Sequence, residues 1–133
     1  MQITPIVPDP TPTSQPFWDA LAEERVKIQH CRDCQAWVYY PRARCSSCLS
    51  DNLAWEQISG EGTLYTFTVA RQPTSAAFAE AENLIIGVVE LDQGPRLTTS
   101  LEGVELDDVV VGMRVKPCFA PTEGVTLLRY QPA

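Results

Sequence analysis

The sequence carries one histidine, His30, two methionines and seven glycines among 133 residues. A lone histidine leaves no histidine metal cluster and only one ring for any nucleophile–imidazole pair. No Gly-x-Ser-x-Gly elbow and no glycine-rich phosphate loop occurs, so the usual hydrolase and nucleotide-binding signatures are missing. No apolar run approaches the roughly 20 residues that cross a bilayer. The opening residues, MQITPIVPDPTPTS, lack a basic start and an apolar centre. A signal peptide is therefore not expected, and a reducing, cytoplasmic setting is. Positive charge is also short: 10 basic against 17 acidic side chains give a formal net charge of −7. That sign repels phosphate backbones, which bind through Lys and Arg.

Four cysteines are nevertheless concentrated in HCRDCQAWVYYPRARCSSC, residues 30–48. Cys31, Cys34, Cys45 and Cys48 form two Cys-x-x-Cys pairs separated by ten residues. In a reducing compartment such an array points to a metal rather than to disulfides. Two residues between thiols let a turn aim both sulfurs at one ion, and two such turns complete a tetrahedron around zinc or iron. A closed four-sulfur shell leaves no position for substrate, so a structural role follows. The basic residues cluster here too: Arg25, Lys27, Arg32, Arg42 and Arg44 face only Asp33 between positions 25 and 44. They either contact phosphates or screen the thiolates.

Residues 1–13, with four prolines, read as an extended arm. Residues 14–58 read as a short helix, SQPFWDALAEER, followed by the ribbon. Ser14 or Gln15 can cap the helix, and Pro16 suits its first turn. Phe17, Trp18 and Leu21 give it an aromatic end that packs on its own domain or docks a partner. RVKIQHC and LAWEQISG are strands flanking the knuckles. Residues 59–133 are all β. GTLYTFTVAR alternates, with Leu64, Thr66 and Thr68 opposite Tyr65, Phe67 and Val69. NLIIGVVELD carries Gly87 where a bulge or close approach is expected. Three further strands and their glycine turns complete a five-stranded OB barrel. The irregular QPTSAAFAEAEN is a short helix or flap. Cys118, on a barrel strand, reads as a small buried side chain or as a nucleophile. The fold class is thus mainly β: a helix and four-cysteine ribbon ahead of an OB barrel.

The order FWDALAEERVKIQHCRDCQAWVYYPRARCSSCLSDNLAWEQISGEGTLYTFTV resembles the OB-fold, rubredoxin-like zinc-ribbon proteins that accompany acyl-CoA-handling enzymes. The shared elements are Phe17–Trp18, both knuckles, Tyr40–Pro41–Arg42, Trp55–Glu56, and Gly60, Gly62, Tyr65 and Thr68. The later GMRVKPCF resembles the family's barrel-closing strand. Glycine often follows the second cysteine of each knuckle in that family, and proline the third cysteine. This chain has Gln35, Leu49 and Ser46 there.

The resemblance implies a non-catalytic subunit beside a thiolase-fold, lipid-transfer-protein-like partner acting on acyl-CoA. It points most specifically to retro-aldol cleavage of a steroid side-chain acyl-CoA. Zinc, or iron in its place, would hold the ribbon. Arg42 and Arg44 would contact CoA phosphates, and Phe17, Trp18 and Leu21 would dock the partner. A bridging subunit of an acyltransferase or condensing complex is the nearest alternative. A nucleic-acid-binding ribbon–barrel module and an enzyme using Cys118 are alternatives of other classes.

Overall fold

The computed structural model describes residues 7–71 and 84–133. Residues 1–6 of the expected arm and all of the 72–83 stretch lie outside the described residues. Helix α1 spans Gln15–Ala22. Strands β1 (Val26–Cys31), β2 (Trp37–Val38) and β3 (Leu53–Ile58) form an antiparallel sheet in the order β2–β1–β3. Strands β4 (Gly62–Ala70), β5 (Leu84–Leu91), β6 (Arg96–Ser100), β7 (Arg114–Thr122) and β8 (Val125–Pro132) form a second sheet, in the order β6–β5–β4–β7–β8. A parallel bridge between Leu101 and Tyr130 joins its two ends. Thr99 Oγ1 adds a bond to the Leu128 carbonyl at 3.1 Å across the same seam. Closure of this kind makes the five strands an OB barrel.

A helix of eight residues has little stability of its own. Here α1 is held by burying Phe17, Ala20 and Leu21. Ser14 does occupy the cap position, but its hydroxyl makes no bond to the helix. Instead Thr11 N donates to Ser14 Oγ at 2.9 Å and Ser14 N to Thr11 Oγ1 at 3.2 Å. The side chain locks the turn before the helix rather than the first helical amides.

Strand β4 departs from simple alternation. Its register with β5 shifts between Leu64 and Thr66. An extra residue reverses the phase of every later side chain. Leu64 is buried, Thr66 and Thr68 are exposed, and Phe67 and Val69 turn inward in their place. The expected grouping of Leu64 with Thr66 and Thr68 is therefore corrected. Gly87 is a close approach, as expected: a Cβ there would stand 3.0 Å from Leu64 Cδ1.

Helix, ribbon and barrel share one apolar core. Phe17 and Leu21 from α1, Val26, Ile28 and Ile58 from the ribbon, and Leu64, Val89, Val115 and Tyr130 from the barrel all belong to it. A separate small cluster, Cys31, Val38 and Cys45, lies beneath the knuckles. The knuckles are thus the part of the fold with the least apolar support.

Candidate metal centre

Both knuckles are built alike. Cys31 N donates to Ala36 O at 2.8 Å while Gln35 N donates to Cys31 O at 2.9 Å. Cys45 N donates to Ser50 O at 2.8 Å while Leu49 N donates to Cys45 O at 2.9 Å. Each turn closes through a left-handed residue, Gln35 at φ 67° and Leu49 at φ 65°. These are the two positions where the resembled family favours glycine, and the side chains are accommodated by facing solvent. Backbone amides then point at sulfur: Cys34 N to Cys31 Sγ at 3.5 Å and Ser47 N to Cys45 Sγ at 3.3 Å.

The result is a four-sulfur cage in which all four Sγ atoms lie within 4.8 Å of one another. Cys31–Cys48 and Cys34–Cys45 sulfur pairs are each 3.6 Å apart. Metal–sulfur bonds of about 2.3 Å give tetrahedron edges of about 3.8 Å. Those two edges are thus within a few tenths of an ångström of a tetrahedral site, and the whole set is compact enough to close on one ion. Cys31 and Cys45 are buried, whereas Cys34 and Cys48 are exposed. The amides of Cys48 and Ser47 draw the Cys45 thiol down to about 6. The Cys34 amide likewise lowers Cys31. Cys34 goes the other way, to about 12: the Ala36 amide lowers it, but burial and the neighbouring sulfurs outweigh that pull. Four sulfurs this close cannot all be thiolates without a cation among them.

The surroundings hold the cage in place. Asp33 accepts from Ser50 Oγ and, at 3.3 Å, from Asn52 Nδ2, tying the first knuckle to the exit of the second. These bonds hold its carboxyl below the usual range. His30 stacks on Trp37 with ring centroids 4.3 Å apart. Its Nδ1 lies 3.0 Å from Glu56 Oε2 and its Nε2 3.1 Å from Gln35 O. The ring braces β1 against β3 and the first knuckle. Nothing but its place beside Cys31 pointed to that role in the sequence.

Arg42 and Arg44 are both exposed. Gln29, buried on β1, grips the Arg42 backbone at both ends, accepting from its N–H at 2.8 Å and donating to its carbonyl at 2.8 Å. Arg44 Nη1 donates to Leu49 O at 3.2 Å, so this guanidinium serves the second knuckle. Gln29 has no motif around it and was not singled out by sequence reasoning. Of the three helix residues, Phe17 and Leu21 are buried in the chain's own core. They have no surface to offer a partner. Trp18 is half-buried and donates through Nε1 to Tyr40 OH at 3.1 Å. Cys118 is half-buried on β7, its Sγ 3.8 Å from Glu102 Oε2. Burial and that carboxylate push the thiol up, away from the thiolate a nucleophile needs.

A helix, a four-thiol ribbon and an OB barrel sharing one core place the chain among zinc-ribbon/OB-fold proteins. Residues 18–54 match the model for the ChsH2 rubredoxin-like zinc ribbon domain, and residues 55–120 that for the ChsH2 C-terminal OB-fold domain. The chain belongs to the ChsH2 family.

A solved structure, "Ltp2-ChsH2(DUF35) aldolase", superposes with a TM-score of 0.83 at 28% identity, covering 95% of this chain and 98% of that one. A Thermomonospora curvata protein named "Probable enoyl-CoA hydratase alpha subunit" is 33% identical over 74% of this chain and 31% of its own length. A "DUF35 domain-containing scaffold protein" of Methanocaldococcus jannaschii is 31% identical over 67% of this chain and 63% of its own. The match thus spans less than two thirds of either relative. Among the described residues, no helix is long and apolar enough to cross a membrane.

Proposed function

We propose that the chain is a non-catalytic subunit of an acyl-CoA enzyme, docked on a thiolase-fold, lipid-transfer-protein-like partner in the cytoplasm. The observation that carries this reading is the full-length likeness to the ChsH2 chain of an aldolase complex, with 98% of that chain covered. The reaction is retro-aldol cleavage of a steroid side-chain β-hydroxyacyl-CoA. A base of the partner removes the β-hydroxyl proton and the β-carbon becomes a carbonyl. The carbon–carbon bond breaks towards the thioester, and the resulting enolate is protonated.

Zinc in the Cys31, Cys34, Cys45 and Cys48 cage fixes the ribbon and takes no part in that chemistry. Arg42, with its backbone gripped by Gln29, offers its guanidinium to the CoA phosphates, joined by the donors of Arg44 not used on Leu49. Trp18, beside the exposed Tyr40, supplies docking surface. A second reading, a scaffold bridging two enzymes of an acyltransferase or condensing pathway, is favoured by the scaffold relatives.

Reconstitution tests the first reading. The thiolase-fold subunit is assayed alone, with the metal-loaded chain, and with the Cys31→Ser chain, on a β-hydroxyacyl-CoA. Cleavage that requires the metal-loaded chain supports it. Full activity of the partner alone would sink it.

A further inference from the structure

The large apolar side chains most exposed among the described residues are Tyr40, Leu49, Tyr65, Val110 and Val111. Leu49 belongs to a knuckle and Tyr40 to the Trp18 cluster. Tyr65 lies under Arg96 of β6, on the side of β4 away from β7, which leaves Val110 and Val111 on the segment entering β7. Val110 is 61% and Val111 58% exposed. Met113 N donates to Val110 O at 3.1 Å and closes a turn over Val111 and Gly112, whose φ is 96°. Gly112 N donates to Leu64 O at 2.8 Å and Leu64 N to Met113 O at 2.9 Å. That pairing brings the backbone of Tyr65 level with that of Val111. Val109, beneath the turn, is buried in the core. The two valines are therefore carried on a fixed support, at positions where turns ordinarily place polar residues.

The rim has one sign. Glu105, Asp107 and Asp108 are exposed and make no ion pair with any described residue, and residues 101–112 contain no Lys or Arg. Arg114, two residues past Gly112, is held by Asp92 at 2.8 Å, and Arg96 lies over the Tyr65 ring at 3.8 Å and is bound to Glu90 at 2.9 Å. An acidic rim repels anionic lipid and nucleic acid alike.

We propose that the Val110–Val111 turn is a docking tip that inserts into an apolar pocket with a basic rim on the partner subunit. This rests on the subunit reading above. The basic rim is the charge complement that the exposed Glu105, Asp107 and Asp108, unpaired among the described residues, require. A preformed turn loses little freedom on binding, and a rim charge speeds encounter more than it tightens the complex.

The test uses the full metal-loaded chain and the thiolase-fold subunit with which it is co-expressed. Val110→Asp/Val111→Asp and the milder Val110→Ser/Val111→Ser are compared with wild type and with Glu123→Ala on the remote β7–β8 turn. Metal content and thermal midpoint of each isolated chain verify folding. The valine variants should raise Kd at least about tenfold, with Glu123→Ala unchanged. Asp107→Asn/Asp108→Asn should slow association and flatten its salt dependence. Wild-type affinity in both folded valine variants overturns the tip while leaving the subunit reading intact. So does a valine variant that abolishes only self-association of the isolated chain, since a second copy would then be the occupant. A wild-type chain that fails to bind the partner overturns the subunit reading, and the tip with it.

Discussion

Gln35 and Leu49 show how far a single position can carry a functional argument. Both hold left-handed backbone, at φ 67° and 65°, a conformation that costs a residue with a Cβ roughly 1–2 kcal/mol. Leu49 is 70% exposed, so glycine there gives up almost no burial. Relief of strain is partly offset by glycine's larger unfolded entropy, about 0.5–1 kcal/mol. Leu49→Gly should therefore stabilise the metal-loaded protein by up to about 1 kcal/mol in chemical denaturation, without changing its metal content. A loss of stability would show that the leucine side chain contributes something the knuckle geometry does not explain. The four ligands were legible from spacing alone, because two-residue turns leave the sulfurs few directions to point. Gln29 was not, and His30 only through its place beside Cys31: their partners depend on which strand faces which loop, and spacing carries no such information.

Among the elements, the join between ribbon and barrel is the most exacting. Tyr130 on β8, buried in the core, donates to the carbonyl of Gly60 at 2.6 Å. Gly60 has φ 78°, and a Cβ on it would lie 2.9 Å from both Pro117 Cγ and Val26 Cγ2. Tyr130→Phe leaves that carbonyl buried without its partner, at a cost of about 1–3 kcal/mol. Denaturant titration of wild type and variant measures it, and an unchanged midpoint would mean that water replaces the hydroxyl.

On the barrel's outer face Arg114 holds Asp92 at 2.8 and 3.0 Å and keeps its carboxyl below the usual range. A lowered folded pKa stabilises above the unfolded value and is lost as pH falls through the folded one. Both groups are about half exposed, so the contribution is a few tenths of a kcal/mol. The stability difference between wild type and Asp92→Asn should accordingly shrink below about pH 4. A difference that stays constant down to pH 2 would place its origin elsewhere. Strand existence was readable from alternation and glycine punctuation. The phase of β4 was not, since a bulge between Leu64 and Thr66 is invisible to a period-two pattern.

The whole molecule divides its support unevenly. Helix, strands and barrel share one apolar core, while among the described residues the knuckles rest on the small cluster of Cys31, Val38 and Cys45, with Ala36 and Leu53 packed against it. Metal binding there is folding energy, on the order of 10 kcal/mol for a four-ligand zinc site. Chelation should consequently melt β2 and the knuckles while β4–β8 persist, visible as amide exchange confined to residues 31–53. Uniform exchange across the barrel would mean that the core and the metal site unfold together.

The same division explains what the sequence could and could not say about function. On the proposed reading the chain's distinctive chemistry is structural, which leaves a clear metal motif and few reactive groups, and the substrate is set by the partner. The most direct measurement is therefore co-expression with the proposed thiolase-fold subunit, followed by size exclusion and metal analysis of the peak. Co-elution with about one zinc per chain is the predicted result. A chain that elutes alone, metal in place, would contradict it.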